Sequence, residues 1–323
     1  MALLTLFTTP KPFQDPHIIT IQRNALRSWK ALGNEVEIVF IGDEYGMSEI
    51  AREFGLIHRP DVQVNELGTP LISSIFNIGR TENDSPFLAY VNTDIILFPD
   101  FLETLKKVAN HLSKFLLVGQ RYDLDITEEL AFEPDWQTSL LKKAQTEGKR
   151  HARAGSDYFI FPRACFQDIP DFRVGRAGWD NWMIYKARRE KWTAVDCSAD
   201  IDIIHQNHDY SHLAGGQIHY RQPETGVNIR LAGGRRTIFD LDDCAKRLVG
   251  GKLLPMPRSR ARFKRELIHW PLLNLGCYGA SQALFKLLNP EQAKRELERQ
   301  KEMDAALAMQ EEELRKKQNE GGR

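Results

Sequence analysis

Between two apolar runs, Phe87–Val91 and residues 95–98, the chain carries Asn92-Thr93-Asp94. Side chains alternate along a strand, so Asn92 and Asp94 set an amide and a carboxylate oxygen on one side of a strand end. Hard divalent ions take such oxygens, and an ion held there can in turn bind a diphosphate. Asn and Asp are also ordinary turn formers, and the segment alone fits a polar turn equally well. Gly178-Trp179-Asp180-Asn181-Trp182 places a carboxylate between two indoles at the expected start of a helix. There Asp180 fits an N-cap flanked by core tryptophans. It also fits a base that takes a proton from an attacking hydroxyl, with Trp179 and Trp182 stacked on a sugar ring. His205, His208 and His212 fall within eight residues of a chain that has nine histidines. Their spacing is not H-E-x-x-H, so a zinc hydrolase finds little support. One histidine completing an oxygen site with Asp94 is the more economical reading, beside ordinary hydrogen-bonded loop histidines. Gly155-Ser156-Asp157 enters the apolar run 158–161, where the glycine either lets a ligand approach Asp157 or makes a simple turn.

The surrounding pattern says how these residues are held. Residues 3–7 and 36–41 read as strands, and 16–32, 45–54 and 69–80 as helices, the last with Pro70 in its first turn. The strand at Phe87 follows, then a helix over 99–111 and a strand over Phe115–Val118. Strands alternating with helices predict an α/β fold whose mostly parallel sheet is covered on both faces. Ligands of such sheets bind beyond the carboxyl ends of the strands. Three polar tips converge there: Thr8-Thr9-Pro10-Lys11, Gly42-Asp43-Glu44 and Asn92-Thr93-Asp94. That convergence favours the ligand reading of Asn92 and Asp94 over the turn. Further on, a loop with Asp123 and Asp125 leads to a helix over 136–146 and a strand over 158–161. A helix over 178–191 and a strand-like stretch with an acidic interruption over 193–204 come next. The expected organisation is one unit over 1–250, split near 120, then a basic and apolar linker over 251–289 and a charged helical tail over 290–323.

Bulk properties narrow the class. The chain has 323 residues, with 44 basic and 44 acidic side chains, so no global basic excess points to nucleic acid. Cys165, Cys197, Cys244 and Cys277 are far apart and form no C-x-x-C pair. They read as reduced thiols in a cytoplasmic setting. The first residues lack the basic leader of a secretory signal, and no stretch is apolar enough to span a bilayer. Arg258, Arg260, Arg262, Lys264 and Arg265, followed by Leu267, Ile268 and Trp270, give 256–275 the composition of a segment that lies against an anionic membrane surface. A linker packing its apolar half on the main unit is the alternative.

In this order and spacing, the motifs over residues 3–245 resemble a GT-A type nucleotide-diphospho-sugar glycosyltransferase. The resemblance implies a Rossmann-type sheet of GT-A form. Thr8, Thr9, Pro10 and Lys11 would line the nucleotide entry, Asp43 would sit near the base, and Asn92 and Thr93 beside the diphosphate. Asp94 would hold Mn²⁺ or Mg²⁺ with His205 or His208, Asp180 would be the base, and Asp157, Trp179, Asn181 and Trp182 would contact substrate. Two departures from the family pattern stand out: Asn92 replaces the first acid of the D-x-D motif, and the tryptophan motif has one acid where several branches have two. The implied donor is a nucleotide-diphospho-sugar, and the acceptor a glycan, a lipid-linked molecule or a small molecule. Lys11 or Arg235 and Arg236 would help a divalent ion stabilise the leaving diphosphate. A nucleotidyltransferase usually has a glycine-rich loop after its first strand, and Thr8-Thr9-Pro10-Lys11-Pro12 contains no glycine. A non-catalytic lectin-like module using the two tryptophans is the other alternative.

Overall fold

A computed structural model describes residues 2–208 and 222–321. Its first half alternates β1 (Leu4–Thr8), α1 (Pro16–Lys30), β2 (Val36–Ile41), α2 (Met47–Phe54), β3 (Ile57–Arg59), α3 (Ile72–Thr81), β4 (Phe87–Val91), β5 (Ile95–Leu97), α4 (Asp100–Ala109) and β6 (Phe115–Val118). Then come β7 (Tyr122–Leu124), α5 (Trp136–Glu147), β8 (Lys149–Arg150), β9 (Tyr158–Pro162), α6 (Trp179–Arg189), β10 (Thr193–Asp196), β11 (Ile203–Gln206) and α7 (Pro223–Leu231). The chain continues through β12 (Lys246–Val249), β13 (Lys252–Pro255), α8 (Arg260–Leu275), α9 (Tyr278–Leu288) and α10 (Pro290–Gly321).

Among the described residues, nine strands form one sheet in the order β13-β12-β10-β6-β9-β4-β1-β2-β3. It is parallel except for β9, antiparallel to β4 and β6, and β13, antiparallel to β12. The fold is thus α/β with a mostly parallel sheet and a C-terminal helical extension. Alternation along β1 explains the two-sided cover: Leu4 and Leu6 enter one apolar cluster with Trp29 and Phe40, while Phe7 joins Phe76 and Tyr90 on the opposite face. The helix α3 lies so close to β1 that a Cβ on Gly79 would come within 2.5 Å of the Phe7 ring. Glycine is required there by contact distance.

The smaller sheet, ordered β5-β11-β7-β8, carries the polar site. Helix α1 starts cleanly because the Asp15 side chain accepts from the amides of His17 and Ile18, with Pro16 at the first helical position. Its buried Trp29 then donates from Nε1 to the Ile95 carbonyl at 2.8 Å, and Ser28 Oγ accepts from the Leu97 amide at 3.1 Å. These bonds fix β5 directly behind Asp94.

Several expected boundaries shift. The helix expected over 69–80 begins at Ile72, because Pro70 is engaged in a bridge with Val64. Residues 193–204 are two strands in two sheets, separated by a turn in which Asp196 Oδ1 accepts from the Ser198 amide at 3.0 Å. The stretch 251–289 is built of strand and helix: β13 closes the large sheet, Ser259 caps α8, and α8 runs through Pro271 to a left-handed Gly276. Among the described residues, no helix is long and apolar enough to cross a membrane.

Candidate active site

The carboxyl ends of β4, β1 and β2 lie side by side, since β1 pairs in parallel with both neighbours. Thr8 and Thr93 lock the first two ends together, their buried hydroxyls 2.9 Å apart. Both are therefore occupied with each other. Pro10 is buried beneath the same tip, the Thr9 hydroxyl is buried without a partner among the described residues, and Asp43 is exposed at the end of β2.

Asp94 lies between β4 and β5, 6% exposed. The antiparallel pairing of β11 with β5 puts His205 opposite Ile95, and the Gln206 amide donates to the Asp94 carbonyl at 3.1 Å. Gln206 also donates from its side chain to the Ile21 carbonyl at 2.7 Å and accepts from Asn24 at 3.0 Å, tying β11 to α1. As a result Asp94 Oδ2 lies 3.2 Å from His208 Nε2 and 4.0 Å from His205 Nε2. One ligand atom from each of these three residues lies within 4.8 Å of the others, a group that can hold a metal ion. His212, the third histidine of the sequence cluster, lies outside the described residues.

Lys11 reaches into the same group. Its Nζ donates to Asp94 Oδ2 at 2.9 Å and lies 2.7 Å from His208 Nε2. Burial by itself would raise the Asp94 carboxyl, but Lys11, His205 and His208 outweigh it and hold the group well below its ordinary value. The carboxylate is thus kept ionised, as a metal ligand must be. Asp94 Oδ1, by contrast, is buried and has no hydrogen-bond partner among the described residues. An unpartnered carboxylate oxygen beside two imidazoles is the donor set that Mn²⁺ accepts, so the residues present fit a divalent ion.

Three residues of the site have no signal of their own in the sequence. Asp123 on β7 pairs in register with His205 on β11, and its Oδ1 lies 3.4 Å from His205 Nδ1. Its Oδ2 lies 2.7 Å from His151 Nδ1, and its Oδ1 accepts from Arg121 Nε at 2.7 Å. Burial pushes the Asp123 carboxyl up, yet His151, His205 and Arg121 together depress it far more. Arg121 then donates to both oxygens of Asp157 at 2.6 Å, and Asn92 Nδ2 donates to Asp157 Oδ1 at 3.0 Å. The antiparallel β4–β9 register brings Asn92 and Asp157 together, the Asn92 amide donating to the Asp157 carbonyl. Asn92 therefore serves Asp157, as a donor where a second acid would repel it.

Asp180 sits in the first turn of α6, after Gly178 at φ +111°, a conformation that L side chains rarely adopt. Its Oδ1 accepts from the Gly178 amide at 3.1 Å. Burial raises the carboxyl to about 6, the nearby charge of Asp157 adding to the effect while local amides oppose it. Asn181 donates to the carbonyls of Ala154 and Phe239 at 2.9 and 2.6 Å, clamping loops around this helix end. The sugar-stacking role expected of Trp179 and Trp182 does not fit. Each is 6% exposed; Trp179 packs on Phe76, Tyr90 and Phe159, and Trp182 on Phe172. Their faces are core.

Arg235 and Arg236 also depart from expectation. They line a cavity of about 1220 Å³ together with residues of α8, α9 and α10, and none of Asp94, His205 or His208 borders it. Arg236 is ion-paired with Glu296 and lies 3.5 Å over the Phe285 ring.

No protein-family model and no curated protein sequence matches the chain. Among solved structures, it resembles residues 1–349 of S. aureus TarS in complex with UDP-GlcNAc, at 14% identity and a TM-score of 0.47, over 72% of this chain and 65% of that one. It also resembles the mannosyltransferase PcManGT from Pyrobaculum calidifontis in complex with GDP-Man and Mn²⁺, at 12% identity and a TM-score of 0.45, over 95% and 80%. A third likeness is to glucosyl-3-phosphoglycerate synthase from Mycobacterium tuberculosis with Mg²⁺ and UDP, at 12% and 0.45, over 72% and 80%. The chain thus spans 65% of the TarS fragment's length. At these scores and identities no residue role rests on the likenesses.

Proposed function

We propose that the protein is a glycosyltransferase that moves a sugar from a nucleotide-diphospho-sugar to an acceptor hydroxyl, with a divalent ion at the donor. The carrying observation is Asp94, buried with one oxygen unpartnered, beside His205 and His208 at the carboxyl end of a parallel strand. Asp94, His205 and His208 would hold the ion, which when bound neutralises charge accumulating on the leaving diphosphate. Lys11 adds a second positive charge at the same strand end and is placed to follow the diphosphate. Arg121 and Asn92 hold Asp157 in one orientation by donating to its carboxylate. Asp180, raised to about 6, is basic enough to accept the acceptor hydroxyl's proton near neutral pH and still ionised there. Thr9 and Asp43 would frame the nucleotide from the ends of β1 and β2, over a tip that buried Thr8 and Pro10 support. We assign the transfer to residues 1–250, with 1–120 as the nucleotide-binding half and 121–250 as the acceptor half, which also lends His205 and His208 to the ion.

The test is release of free nucleoside diphosphate from a panel of nucleotide-sugars with Mn²⁺, with Mg²⁺ and with chelator. Asp94→Asn should abolish metal-dependent turnover and donor binding while the protein still unfolds cooperatively. Metal-independent release, unchanged by Asp94→Asn, would remove the assignment.

A further inference from the structure

Helix α8 is apolar on two sides. Ile268, Leu272 and Leu273 are buried against the body of the protein, whereas Phe263, Leu267 and Trp270 are 73%, 43% and 55% exposed. At helical pitch, positions 263, 267 and 270 fall within an arc of about 60°, so they form one stripe along the outer surface. Leu275 at the end of α8 and Leu287 of α9 are exposed as well. Five of the twelve large apolar side chains exposed among the described residues therefore lie within 263–287, a concentration rather than the usual scatter. The helix's cations divide in the same way. Arg262 and Arg265 turn inward, onto Glu266 and onto Asp240 and Asp243. Arg258 and Arg260 are exposed at the head of the stripe, whereas Lys264 lines the cavity bordered by Arg235 and Arg236. Neither arginine at the head of the stripe has an ion-pair partner among the described residues.

We propose that this outer face of α8 docks on an anionic lipid surface. The apolar stripe would enter the headgroup boundary, with Trp270 at a depth suited to its amphipathic ring, and Arg258 and Arg260 would meet lipid phosphates. A second copy of the chain would bring the same uncompensated cations to the contact, whereas anionic headgroups neutralise them. The contact is peripheral, since α8 has 16 residues and no described helix can span a bilayer. It is independent of the transfer reaction.

The experiment is sedimentation of the full chain with vesicles of phosphatidylcholine alone and of phosphatidylcholine with phosphatidylglycerol, with light scattering on the free protein. The wild type should partition onto the anionic vesicles and be released by salt. Phe263→Ser, Leu267→Ser and Trp270→Ser together should weaken partition at least about 100-fold, and Arg258→Glu with Arg260→Glu should remove the preference for anionic lipid. All five positions are exposed, and thermal unfolding checks that the fold is kept. Failure of the wild type to bind anionic vesicles at low salt overturns the proposal. So does a dimer that the triple serine variant dissociates while vesicle binding stays unchanged, which would give the stripe to a second copy.

Discussion

Asp123→Asn tests whether the charge network behind His205 sets metal affinity. Asp123 is not a candidate ligand; it acts through His205, whose Nδ1 lies 3.4 Å from its Oδ1. His205 Nδ1 is buried without a hydrogen-bond partner among the described residues, so the contact is one of charge. A carboxylate this near the far nitrogen makes the near nitrogen a better donor to an ion. Because His151, His205 and Arg121 hold the Asp123 carboxyl far down, it stays ionised throughout the neutral range, and the amide removes a full charge at nearly constant shape. Loss of such an outer partner typically weakens metal binding about 10–100-fold, or ~1.4–2.7 kcal/mol. Titration calorimetry with MnCl₂ reads this directly, without donor or acceptor. His151→Ala, which leaves Asp123 to His205, should cost less, and Asp43→Asn, at an exposed position on β2, should cost nothing. Thermal unfolding is the fold control, since Arg121 keeps Asp157 when Asp123 is neutralised. If Asp123→Asn binds Mn²⁺ as the wild type does while Asp94→Asn does not, His205 is not a ligand and the reasoning fails.

Asp180→Asn should lower turnover by about 10²–10⁴ with donor affinity nearly unchanged, as loss of a general base does. Its raised carboxyl loses the base form as pH falls through about 6, so wild-type activity should fall on that acid limb; a limb that persists in the residual activity of Asp180→Asn would rule the residue out as its source. In the metal-free protein the Lys11 ammonium sits among the ligand atoms, so Lys11→Met should tighten binding of Mn²⁺ alone by about tenfold or more. The same variant should slow turnover; weaker Mn²⁺ binding would show that Lys11 supports the ligands rather than competing with the ion. Trp179→Ala should destabilise the fold by about 3–5 kcal/mol in denaturant titration, because it empties a closed aromatic core. Unchanged stability with a raised acceptor KM would restore the stacking role.

The sequence by itself determined the parallel sheet and the position of Asp94. Apolar runs the length of a strand, such as 36–41 and 115–118, alternate with helix-period segments, and the polar residues at strand ends must then cluster at one edge. That local logic reached Lys11, Asp94 and the histidines, because Lys11, Asp94 and His208 come within three residues of a strand's end and His205 lies just before β11 ends. It did not reach Asp123, Arg121 or His151. Their roles depend on the parallel register of β7 with β11 and on the closure of β8, contacts between segments distant in the chain that no local pattern encodes. Which face of a helix is buried was likewise decided only by packing. The motif around Asp180 reads the same whether its indoles face a sugar or the core, and the neighbours Phe76, Tyr90, Phe159 and Phe172 turn both inward. For α8 the outcome was the reverse: burial of Ile268, Leu272 and Leu273 uses up one side, and leaves Phe263, Leu267 and Trp270 to water.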